Sequence, residues 1–150
     1  MNDKTWNEIN FGIENYKNLI TNKNARKLDA REDGIFTSEL KKLLIKNTST
    51  IDWNNKALKE VTTIEIKGKS KNCDKYFNKI FQYLNIKPTD IIWIGWHDQI
   101  ESIEISEKEL LEKIVPILFV GHGTFFMNTK KEWLIEYKFD KFLSAGKFKI

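Results

Sequence analysis

The chain is poor in the residues that cross-linking and catalysis draw on. Among its 150 residues it has one cysteine, Cys73, so no internal disulfide can form. Cys73 falls among apolar helix-spaced positions and reads as a small buried thiol in a reducing compartment rather than a reactive one. His97 and His122 are the only side chains that ordinarily titrate near neutrality. Arginine is limited to Arg26 and Arg31, although Lys and Arg together number 25, so planar bidentate recognition of phosphate is poorly served. The two prolines and seven glycines form no low-complexity tract, and there is no internal repeat. The longest apolar runs, residues 91–96 and 114–120, fall far short of the ~20 residues that a membrane-spanning helix needs. The opening MNDKTWNEIN lacks the apolar stretch of a signal peptide. The expectation is a cytoplasmic chain with no membrane partner.

What is present is a globular composition. An apolar fraction of 41% and a charged fraction of 31% suit one domain, residues 1–150, with a core that needs neither metal nor disulfide. The net charge is +4, and it is unevenly spread. Basic residues dominate before residue 76, through Lys41, Lys42, Lys46, Lys56, Lys59, Lys67, Lys69, Lys71 and Lys75. Asp98, Glu101, Glu104, Glu107, Glu109 and Glu112 are opposed in their stretch only by Lys108 and Lys113.

Periodicity divides the chain into elements. Trp6, Ile9, Ile13, Tyr16 and Ile20 recur at helical spacing behind a capping box of Thr5 and Glu8, and Gly12 inside this helix implies reliance on packing. Residues 22–34, ending in Asp33-Gly34, read as a loop. Thr37 or Ser38 then caps a short helix carrying Leu40, Leu43 and Leu44. Residues 48–59 are ambiguous, with Trp53 as their anchor. Thr62, Ile64 and Ile66 alternate as a strand, and Cys73 to Leu84 forms a broad apolar helical face. Residues 90–96 are apolar on both parities, the pattern of a strand covered on both sides. A turn at 97–99 leads to a strand over 100–105, then to a helix capped by Ser106 and Glu109. Pro116 is expected to end that helix and residues 117–120 to return to strand. Residues 124–127 and 133–139 flank a polar turn and predict a C-terminal hairpin. The result is an α+β fold with an antiparallel-rich sheet and an N-terminal helical pair. The middle order βαββαβ is that of a ferredoxin-like core.

The candidate chemistry is thin. A histidine pair with a lysine is the minimum for ribonuclease-type acid–base catalysis, and Gly121-His122-Gly123 would let a substrate approach the backbone. Against this, His97 reads as a turn residue and His122 as part of a bulge or loop, with no third residue fixed by spacing. Cys73, His97, Asp98 and His122 lack zinc-ligand spacing, and the glycines make no dinucleotide fingerprint. No cofactor is expected. The lysine run with Trp53 could follow a phosphate backbone, but it lacks an aromatic–basic motif, so nucleic acid ranks behind protein as a partner. The acidic stretch has the better claim. Ile103 and Ile105 should face the core and leave Glu104 outward, while Leu110, Leu111 and Ile114 turn inward and leave Glu107 and Glu112 to solvent. With Asp98 and Glu101 at the turn, Asp98, Glu101, Glu104, Glu107 and Glu112 form a candidate surface for a basic partner.

The C-terminal stretch GTFFMNTKKEWLIEYKFDKFLSAGKF, with Trp133, Leu134 and Tyr137 on a strand, a polar turn near Asp140, and Phe142 and Gly146 beyond, resembles the terminal hairpins of small bacterial immunity proteins that neutralise polymorphic or contact-dependent toxins. The resemblance covers under a fifth of the chain. It implies a non-enzymatic cytosolic domain, one copy in the complex, that covers the active site or substrate surface of a cognate protein toxin. Inhibitors of basic nucleases tend to be acidic, so the basic balance here implies an acidic target or an acidic edge acting locally. A small histidine-dependent ribonuclease and a lysine-rich nucleic-acid accessory protein are the alternative expectations.

Overall fold

The computed structural model describes residues 3–21, 25–66, 73–87, 89–97, 100–138 and 141–149, with the side chains of 3–11 and of Cys73 set aside. The expectations for Asp98, Lys67, Lys69, Lys71, the Thr5–Glu8 box and the Cys73 thiol lie outside the described parts.

The chain forms α1 (Asp3–Ile20), β1 (Ala25–Lys27), α2 (Ala30–Lys41), β2 (Leu58–Glu65), α3 (Cys73–Leu84), β3 (Ile91–Trp96), β4 (Ile103–Ser106), α4 (Glu107–Glu112), α5 (Ile114–Leu118), β5 (Gly123–Asn128), β6 (Trp133–Lys138) and β7 (Phe142–Phe148). The seven strands make one sheet in the order β1-β4-β3-β5-β6-β7-β2, and every neighbouring pair is antiparallel. This is the α+β fold with an antiparallel sheet that the periodicity implies. The ferredoxin-like arrangement is not formed. β2, which should lie within the middle core, instead pairs with β7 at the far edge, and residues 114–118 are helical. Pro116 permits this because it occupies the first turn of α5, where its missing N–H would have no intrahelical acceptor.

Alternation along the strands gives the sheet two apolar faces. One carries Ile92, Ile94, Trp96, Ile103, Ile105, Phe126, Ile135 and Tyr137, covered by α1, α3, α4 and α5. The other carries Trp93, Phe125, Met127 and Leu134, covered by α2 and by Leu43, Ile51 and Trp53 of the segment that precedes β2. The two N-terminal helices therefore do not pair but lie on opposite faces. Gly12 explains how α1 packs: a Cβ there would stand 2.6 Å from the Val120 carbonyl oxygen, so only glycine lets the helix approach that backbone.

The expected loop over 22–34 is shorter than its composition suggests. Asp29 caps α2 in a capping box with Glu32, moving the helix start ahead of Thr37 and placing Asp33-Gly34 inside it. β1 adds an edge strand, with Arg26 opposite Glu104 and Lys27 opposite Ile103. Ser106 caps α4 by accepting from the Glu109 N–H at 3.3 Å, as its spacing predicts.

Candidate functional site: two charged ends of one sheet

The acidic stretch lands at the β1–β4 end of the sheet, but its carboxylates meet different fates. Glu104 does leave the face of Ile103 and Ile105, yet it is not open. Its side chain is 21% exposed, accepts from Arg26 Nε at 2.9 Å and Nη2 at 3.0 Å, and accepts from Trp93 Nε1 at 3.1 Å. Arg26 also grips both carboxylate oxygens of Glu32, which drives that acid down to about 2 and raises Arg26 further. Glu101 is exposed and stands 3.6 Å from Lys27. Glu112 is exposed. Glu107, expected to face solvent, is buried at 9% exposure, and desolvation with the nearby Asp90 charge pushes its carboxyl up. β1, unseen in the composition, brings Arg26 and Lys27 to the edge and neutralises Glu104 and Glu101, while Glu107 is buried at the start of α4, where its N–H donates to the Asp90 carbonyl.

The two histidines have different settings. His97 continues from β3 onto the α2 face, where its ring lies 4.7 Å from that of Phe125 and its side chain is 12% exposed. A Cβ on Gly123 would fall 2.3 Å from the His97 ring, so the glycine that opens β5 makes room for that imidazole rather than for a substrate. His122 is exposed. Among the described residues, no three His, Cys, Asp or Glu side chains gather as a metal site.

Sequence alternation does not reveal Glu136. It sits in the middle of β6 with no exposure, accepting from Trp53 Nε1 at 3.0 Å and from the Ile51 N–H at 3.3 Å, with His97 Nε2 3.9 Å away. Burial pushes its carboxyl up, against the two hydrogen bonds and the Lys138 charge. Lys138, two residues on, donates to Thr50 Oγ1 at 3.0 Å. These groups clasp residues 50–53 against the sheet and so fix the segment leading into β2. The available signal was the pair Ile51 and Trp53, which cover whatever lies beneath them.

At the opposite end a cleft of about 600 Å³ opens between the start of β2, the end of α3, the β5–β6 turn and the end of β7. Lys59, Lys87, Lys130, Lys131, Lys147 and Lys149 line it, against Asp90 and Glu132. Lys147 is paired with Glu60 at 3.0 Å and Lys131 with Glu39 at 3.4 Å. Lys87, Lys130 and Lys149 form no ion pair among the described residues, while Lys59 adds its charge to that of Lys147 in holding the Glu60 carboxyl below its ordinary value. Lys59 and Lys147 stand directly opposite each other across β2 and β7, a juxtaposition that costs stability. The walls are tied together: Phe148 N–H donates to the Glu132 carbonyl at 3.0 Å and Lys149 N–H to the Ala57 carbonyl at 2.8 Å. Only Lys59 of this set belongs to the basic run seen in the sequence. The others come from a hairpin turn, a helix–strand connection and the C-terminal strand, which are distant in the chain.

No protein-family profile matches the chain, and no curated protein matches it. Among the described residues, no helix is long and apolar enough to cross a membrane.

Proposed function

We propose that the chain is a non-catalytic immunity protein that binds a cognate bacterial toxin in the cytoplasm and blocks its active site or substrate surface. The observation that carries this reading is the unequal charge of the two ends of one tied sheet. The β1–β4 end is largely self-neutralised, whereas the cleft reaching the β2–β7 end presents Lys87, Lys130 and Lys149 with no ion pair among the described residues. Rigid scaffolds with one unbalanced charged end favour fast, oriented docking of a macromolecule of opposite sign. The toxin is then acidic at the docked surface, which accords with the net positive charge. Glu101 and Glu112 remain accessible for peripheral contact, while Glu104 supports the fold through Arg26 and Trp93.

Affinity capture from the parent cell, followed by co-expression with the captured toxin domain, tests the proposal. The expected result is stoichiometric capture and restored growth; growth unchanged by co-expression contradicts it. RNA cleavage by the wild type that His122→Ala abolishes would instead favour the ribonuclease alternative. The lysine cleft also gives the nucleic-acid alternative a concrete basis, and a mobility-shift titration across salt concentrations tests it.

A further inference from the structure

We infer that the cleft walled by Lys59, Lys87, Lys130, Lys147 and Lys149 is the docking point for a carboxylate-rich segment of the protein partner, an inference that rests on the inhibitor function proposed above. The chain already shows the recognition on a small scale. β2 bulges between Lys59 and Thr62, and Glu60 takes a left-handed backbone with φ 52°. In that conformation Glu60 sets its carboxylate 3.0 Å from Lys147 Nζ, and its carbonyl accepts from Tyr83 Oη at 2.7 Å. A strained non-glycine residue thus supplies one carboxylate to this lysine wall. Lys87, Lys130 and Lys149 offer the same contact to an incoming acid, with Lys59 adding to the field beside Glu60.

Two features favour an acidic peptide over a nucleic acid. The aromatic residues in the wall offer little open ring face, since Trp133 is 3% exposed and Phe148 is half-buried, whereas single strands are held by bases stacking on open aromatic faces. Asp90 and Glu132 interrupt the basic lining and would repel a continuous phosphate track, yet leave room for separated carboxylates. At the nearby C-terminus of α3 the Phe81 and Gln82 carbonyls accept from the Ile86 and Asn85 N–H groups, which reduces the negative field facing the lysines.

The test titrates the full chain with an oligo-glutamate peptide and with an oligo-thymidylate of equal charge, read by calorimetry and by backbone amide NMR shifts. Two triple variants of equal net charge are compared: Lys87→Glu/Lys130→Glu/Lys149→Glu in the cleft and Lys41→Glu/Lys46→Glu/Lys108→Glu away from it. The inference expects peptide-induced shifts at Lys59, Lys130, Lys147 and Lys149, affinity about tenfold weaker or more in the cleft variant, and a change under about threefold in the control. Equal weakening in both variants, shifts elsewhere, or tighter binding of the oligo-thymidylate overturns it. Its failure is separable from that of the function. A captured toxin that the cleft variant still holds with unchanged affinity removes the cleft and leaves the inhibitor reading intact. Peptide binding in the cleft of a chain that protects against no toxin does the reverse.

Discussion

The β1–β4 end and the β2–β7 end of this sheet use the same kinds of residue to opposite effect. At the first, Arg26 joins Glu32 and Glu104 across three elements, and Lys27 faces Glu101, so the charges are matched within the fold. At the second, Lys59 and Lys147 face each other with Glu60 reaching in from a bulge, and Lys87, Lys130 and Lys149 stand around the same cleft, interrupted by Asp90 and Glu132. The comparison teaches that a charged stretch is a surface only if the fold leaves it unpaired. A run of acids in sequence became structural bonding, while scattered lysines became the exposed field.

Breaking the clasp of residues 50–53 against the sheet should have the largest effect. Glu136→Ala removes the acceptor for the Trp53 indole and the Ile51 N–H and leaves both buried donors unmet, which should cost about 2–4 kcal/mol in chemical denaturation. Glu136→Gln removes the buried charge but keeps only one of the two acceptor oxygens and turns an NH2 toward the other donor, so its cost should be about 1–3 kcal/mol, below that of Glu136→Ala. The same residue sets a pH dependence. Its folded pKa is raised, so the native state binds more protons than the unfolded chain above the ordinary carboxylate range. Its contribution to stability should therefore decline as pH rises from about 4.5 through the raised folded value, and Glu136→Gln should flatten that slope in urea titrations across pH. Glu32 has the opposite sign. Its lowered pKa gives stability that is present above about 4.5 and lost as pH falls through about 2, a component that Arg26→Ala should reduce, leaving the part that the Asp29 N–H supplies.

The next effect concerns the lysine end. Charge reversal at Lys87, Lys130 and Lys149 should slow association with the captured toxin by about tenfold or more at low salt and leave the denaturation midpoint almost unchanged. Arg26→Ala sharpens the comparison from the other side: it should lower stability slightly, with a loss that added salt reduces, and leave association unaffected, as a surface-plasmon measurement would show. The smallest effect is expected from Glu101→Lys with Glu112→Lys, which should change the association rate by no more than about twofold.

Much of the fold was legible because apolar periodicity is local. The helical face over Cys73–Leu84, the doubly buried strand Ile91–Trp96 and the β5–β6 hairpin all follow from spacing. What escaped depends on tertiary partners. β1 is three residues long and reads as polar loop because only its pairing with β4 makes it a strand. Residues 114–118 are β-branched and apolar enough for a strand, yet packing under α1 and a tolerated Pro116 make them helical. The alternation of β6 suggested an open face for Glu136, but residues 50–53 close over it. The lysine cleft was invisible for a different reason: its members lie 90 residues apart at the extremes, Lys59 to Lys149, and only the antiparallel order β6-β7-β2 assembles them.

The most direct measurement is the salt dependence of toxin association for three proteins: wild type, the lysine-cleft reversal, and the Glu101 and Glu112 reversal. The account predicts a steep fall with salt for the wild type, a shallow one for the cleft variant, and a wild-type slope for the acidic-end variant. A cleft variant that keeps the wild-type slope while the acidic-end variant loses it would contradict the account.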